Sequence, residues 1–146
     1  MFVASGALAL LTLVIVLGLA ERSSAHSSPI LGQPFDLAVG QAATIADTGL
    51  EVSFLRVLED SRCPAQVMCI WSGRASIELE VRAPGEPAQI VVLSTCCPPA
   101  DADHASVAGQ VIGLVELAPV PLQPEDVGAA AYTAQLVVTP EPQAGI

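Results

Sequence analysis

Lysine is missing from this 146-residue sequence, and its five cations are scattered arginines: Arg22, Arg56, Arg62, Arg74 and Arg82. Against them stand 15 acidic residues, for a formal net charge of -10. Phosphate backbones are bound by clustered cations, so this balance argues against nucleic acid and against docking on an anionic membrane. The acidity is most simply a solubility feature. Aromatic residues make up only 3% of the chain, so a core must be built from Val, Leu, Ile and Ala. Catalytic signatures are also missing: there is no serine-nucleophile motif, no phosphate-cradling glycine loop and no His-Glu-x-x-His. Cys97 and His104 could be drawn as a nucleophile and base, but nothing in their spacing supplies an activating geometry. Glu78 and Glu80 fall on the wet face of an expected strand, where solvated carboxylates are ordinary. The expectation is a protein that is not an enzyme and carries no cofactor.

What the chain does have begins with MFVASGALALLTLVIVLGLA, twenty residues without a charge. As a helix this run would be roughly 30 Å long, about the thickness of a bilayer core. Small residues follow, and Ser23-Ser24-Ala25 suits signal peptidase, with Gly18-Leu19-Ala20 as a second cut. No Arg or Lys precedes the run, and it is longer than a usual signal core, which keeps a retained anchor open. Residues 1–25 are therefore read as a signal peptide or N-terminal membrane anchor and 26–34 as a linker. The domain spans 35–140, and 141–146 form a tail. Either reading of the N-terminus places the domain outside the cytoplasm, with membrane contact only through that segment. Four cysteines, Cys63, Cys69, Cys96 and Cys97, fit an oxidising compartment; three pairings are open, and the spacing is not that of a zinc site.

Beyond the linker the periodicity is that of strands. Phe35, Leu37 and Val39 share a face. Ala46-Asp47-Thr48-Gly49 signals a turn. From Leu50 to Leu58 the apolar parity switches after Phe54, which predicts a β-bulge there. The clearest alternation runs through Cys69, Trp71, Ala75, Ile77, Leu79 and Val81, with polar residues between, as in a half-buried antiparallel strand. Gln89–Ser94 is another strand, Val107–Leu117 holds one or two around Gly109 and Gly113, and the proline-rich 118–124 cannot be a central strand. Tyr132, Ala134, Leu136 and Val138 make the inner face of the last. Short strands punctuated by Gly and Pro predict an all-β fold, a single antiparallel β-sandwich of about six to seven strands.

The most specific stretch is DSRCPAQVMCIWSG, residues 60–73. Asp60 and Ser61 can accept N–H groups of the following turn, and Arg62 can pair with Asp60 or Glu59. Five residues separate Cys63 from Cys69, a loop short enough to close on itself. Trp71 shares the parity of Cys69, which predicts a tryptophan buried beside a disulfide at the root of a central strand. Asp60, Arg62, Trp71 and Gly73 are thus expected to be structural.

Asp60-Ser61-Arg62-Cys63-Pro64, followed by Val67, Cys69, Trp71, Gly73 and Ala75, resembles the signature of uncharacterised bacterial secreted and lipoprotein-like β domains. The resemblance extends loosely over residues 35–139. It implies an exported all-β domain and no known activity. Cys96 and Cys97 fall outside the pattern. The resemblance therefore implies a Cys63–Cys69 bridge, with Cys96 and Cys97 as a second redox pair, intermolecular links or thiols.

The expected role is a structural or partner-binding module of the cell envelope, its partner a cell-envelope protein. Two alternatives stand beside it. A cut after Ala25 would free His26 as an N-terminal copper chelator, with His104, Asp101 and Asp103 as candidate further ligands. Alternatively, the 63–69 loop, with Val67 and Met68 as apolar contacts, docks on a protein such as a protease and inhibits it.

Overall fold

The computed structural model describes residues 28–96, 103–122 and 132–143. These residues form two antiparallel four-stranded sheets packed as a β-sandwich. The strands are β1 (Phe35–Ala38), β2 (Ala42–Thr44), β3 (Glu51–Asp60), β4 (Ala75–Arg82), β5 (Gln89–Ser94), β6 (His104–Val107), β7 (Gln110–Ala118) and β8 (Thr133–Pro140). One sheet has the order β1-β8-β7-β6 and the other β2-β3-β4-β5. Eight strands are described where six to seven were expected; the additional short one is the three-residue β2.

Side chains on a strand alternate between faces, so one parity of each strand builds the core. Val52 and Phe54 of β3, Ile77, Leu79 and Val81 of β4, Ile112 and Leu114 of β7, and Ala134, Leu136 and Val138 of β8 are all buried. Among the described residues Phe54 is the one fully buried aromatic, with Tyr132 buried toward one end; aliphatic residues supply the rest, as the composition requires.

Two strands change parity midway. The register of β3 shifts between Phe54 and Arg56, and that of β7 between Leu114 and Glu116. An extra residue at each point leaves Leu55 and Val115 facing water and returns Val57 and Leu117 to the core side. The bulge expected near Phe54 is present, although Leu55 does not join the inner face.

The two ends of the sandwich differ. One carries tight turns: Ala46–Gly49, the segment after Ala83, and the β6–β7 hairpin through Ala108 and Gly109, both at positive φ. The chain enters the domain toward this end, where the carbonyl of Pro29 accepts from the Ala46 N–H. The opposite end carries the long β3–β4 connection, residues 61–74, and the segment after β7, which begins with a cis Ala118–Pro119 bond.

Candidate binding surface at one pole of the sandwich

The pole is organised by a buried ion pair at the end of β3. Asp60 has no exposed side-chain surface, and Arg62 keeps only 12%. The guanidinium grips the carboxylate at both oxygens, Nε to Oδ1 at 2.8 Å and Nη2 to Oδ2 at 2.6 Å. The Arg62 N–H adds a turn bond to Oδ1 at 3.2 Å. Across the sandwich, the Tyr132 hydroxyl donates to Asp60 Oδ2 at 3.1 Å. The remaining arginine protons reach the other sheet, to the carbonyls of Leu117 at the end of β7, at 2.5 Å, and of Pro119 just beyond it, at 2.7 Å. A bidentate pair with its outer valences satisfied is the arrangement in which buried charge is tolerated. It clasps the two sheets together where their loops diverge.

Burial alone would raise the Asp60 pKa. The hydrogen bonds and charge of Arg62, with the Tyr132 hydroxyl, outweigh it and hold the carboxyl below its ordinary value. Tyr132 is moved upward, first by its burial and then by the carboxylate it donates to. Of the two expected partners of Arg62, Asp60 is the one used; Glu59 pairs with Arg74 instead.

Past Arg62 the chain leaves the sheet but stays tied to it. Ser61 N–H donates to the Arg74 carbonyl at 2.7 Å, and Cys63 N–H to the Ser72 carbonyl at 2.9 Å. The Ser61 hydroxyl accepts from Arg74 N–H at 3.2 Å. Gly73 lies between these rungs with φ +66°, and a Cβ there would collide with the Ser61 carbonyl. Cys63 and Cys69 then form a disulfide, with Cα atoms 5.8 Å apart. Closing so short a ring is worth roughly 2–2.5 kcal/mol in the chain-entropy account. On the far side, Ala65 and Gln66 N–H donate to the carbonyls of Pro121 and Leu122, at 2.9 and 3.4 Å. The loop is thus fixed at its base, within its ring and along its flank.

Residues 65–72 are all exposed. Met68 is 98% exposed, Ile70 95% and Trp71 83%. This corrects the expectation for Trp71. The only tryptophan is not core, and the disulfide braces a protruding loop rather than a buried indole. The reason lies in Gly73: β4 begins at Ala75, and the positive φ at Gly73 breaks the alternation that Trp71 and Cys69 had appeared to continue. Trp71→Ala is accordingly expected to leave the urea unfolding midpoint unchanged, as measured by circular dichroism; a buried indole would make it strongly destabilising.

Val67, Val120 and Leu122 add further exposed apolar surface beside the loop. No residue from 63 to 73 or from 117 to 122 carries a charge. A chain of net charge -10 thus gathers exposed apolar side chains at one pole, in two segments that carry no charge.

The other candidate residues are not gathered into one place. His104 Nδ1 lies 2.6 Å from Asp103 Oδ1, both side chains mostly exposed. Among the described residues no three His, Cys, Asp or Glu side chains converge as a metal site would require. His26, Asp101 and Cys97 lie outside the described residues, as do the N-terminal apolar run and the last residues of the tail, so neither the copper site nor the anchor is placed. Cys96 is disulfide-bonded and sits in a shallow depression with Ser61, Trp71, Ser72, Gly73 and Arg74. Sequence reasoning missed the reach of Arg62 to Leu117 and Pro119 and the Tyr132–Asp60 bond; no local pattern announces contacts 55 to 72 residues apart.

The fold and this pole define a disulfide-braced β-sandwich with an apolar loop platform. No family model, curated protein or solved structure matches the chain.

Proposed function

We propose that this is an exported binding module of the cell envelope whose contact surface is the uncharged pole built on residues 63–73 and 117–122. The observation that carries the reading is the combination of near-complete exposure of Met68, Ile70 and Trp71 with a loop immobilised by a disulfide, Gly73 and the Asp60–Arg62 clasp. Exposed apolar side chains are unfavourable in water, and holding them rigid lowers the entropy lost on binding. Export is supported by the uncharged N-terminal run and the bridged cysteines, and by the resemblance of the Asp60–Ala75 stretch to secreted bacterial domains. The pole faces away from the end at which the chain enters the domain, so a tether at the N-terminus would leave it free for a partner.

The test is a photo-crosslinking amino acid placed in living cells at position 70 and, as a control, at Glu86 in the turn on the opposite pole. The reading expects discrete adducts from position 70 and none from 86. Equal adduct patterns from both positions, or none from position 70, would contradict it.

A further inference from the structure

Building on the binding-module reading, we infer that the partner is an endopeptidase with an apolar primary specificity pocket, and that the Met68–Cys69 bond is offered to it as an inhibitor's reactive bond. Four observations converge on this occupant. The surface is a run of exposed residues on a loop at the end of a sandwich, and a loop of this kind fits a cleft better than a flat face. Met68 is the most exposed large apolar residue, and with no charge between Cys63 and Gly73 the subsites it and Ile70 would enter must be apolar. Among the described residues none accepts a hydrogen bond from the N–H of Met68, Cys69, Ile70 or Trp71, which leaves that backbone open to pair with an enzyme as an added strand. The flanking residues, by contrast, are pinned: Ala65 and Gln66 by the 121–122 segment, and Cys63 by Ser72.

The disulfide sits where it would separate an inhibitor from a substrate. When the protease nucleophile adds to the Met68 carbonyl carbon, the Met68–Cys69 bond breaks and the Cys69 nitrogen leaves as an amine. Cys69 remains bonded to Cys63, so that amine stays beside the acyl group. Its return reforms the peptide and frees the nucleophile, in competition with attack by water. Tethering raises the effective concentration of the returning amine, and the fixed loop keeps it in line.

Specificity then follows the residue at position 68. The oxidised domain is assayed against chymotrypsin and subtilisin, both of which accept apolar side chains, and against trypsin, which requires a cation. The wild type is expected to inhibit at least one of the first two and not trypsin. Met68→Lys, a change at a fully exposed position, is expected to gain trypsin inhibition by about 100-fold and to lose the original activity. Opening the ring with Cys63→Ser and Cys69→Ser together should turn the inhibitor into a substrate cut after Met68. The inference is overturned if the wild type inhibits neither enzyme, if Met68→Lys leaves trypsin untouched, or if the loop binds zwitterionic vesicles and no protease. Should inhibition fail while position 70 still crosslinks, the binding surface stands with a different occupant. Should both fail, the binding reading falls with it.

Discussion

Gly73→Ala is expected to destabilise the domain by about 2–4 kcal/mol, read as a lower denaturation midpoint. Two effects add. The residue sits at φ +66°, where an L side chain is strained. Its Cβ would also strike the Ser61 carbonyl and lie 2.9 Å from the Arg62 Cα, and these are backbone atoms that cannot rotate away. They belong to the rungs that close the base of the loop, so relief requires breaking the Ser61–Arg74 bonds. Gly85 separates the two effects. It has φ +79° but nothing within 4 Å of a Cβ, so Gly85→Ala should show only the conformational part, about 1–2 kcal/mol. Equal effects at the two positions would mean that the loop base yields.

Arg62→Met is expected to cost about 3–5 kcal/mol, because it leaves a fully buried carboxylate without its cation and frees two carbonyls. The double variant Asp60→Asn/Arg62→Met should recover part of that loss, since the unpaired charge is then gone. The clasp also fixes a pH dependence. Asp60 titrates lower in the folded domain than in the unfolded chain. The unfolded chain therefore takes up the proton first as acid is added. The contribution of the pair is fully present above the ordinary carboxylate value of about 4 and is lost as pH falls through the lower folded value. Urea midpoints of the wild type should decline across that window, and Asp60→Asn should flatten the decline.

Most of the sandwich was legible because the core follows a period of two. In β4 every odd residue from Ala75 to Val81 is buried, and in β8 Ala134, Leu136 and Val138 repeat the pattern. The bulge in β3 showed as the parity change after Phe54. The same rule misplaced Trp71. Its odd number matched β4 only by coincidence, since Gly73 at positive φ separates the two. A glycine two residues before a strand was the available signal. Strand β2 is too short for a period to show, and its pairing with Val52 is set by the turn that follows it. At the pole, the Asp60 turn bond and the Arg62 pair follow from adjacency in sequence. The clasp to β7 and β8 depends on how two distant connections pack, and no residue near Asp60 encodes it.

The platform is rigid and wet, and Trp71, the only tryptophan in the chain, reports on it directly. Steady-state emission and acrylamide quenching of the native, oxidised protein measure its surroundings. Emission as red-shifted as in the unfolded chain, with free access to quencher and high anisotropy, is the predicted result. A blue-shifted emission that acrylamide cannot reach would place the indole in the core and contradict the account.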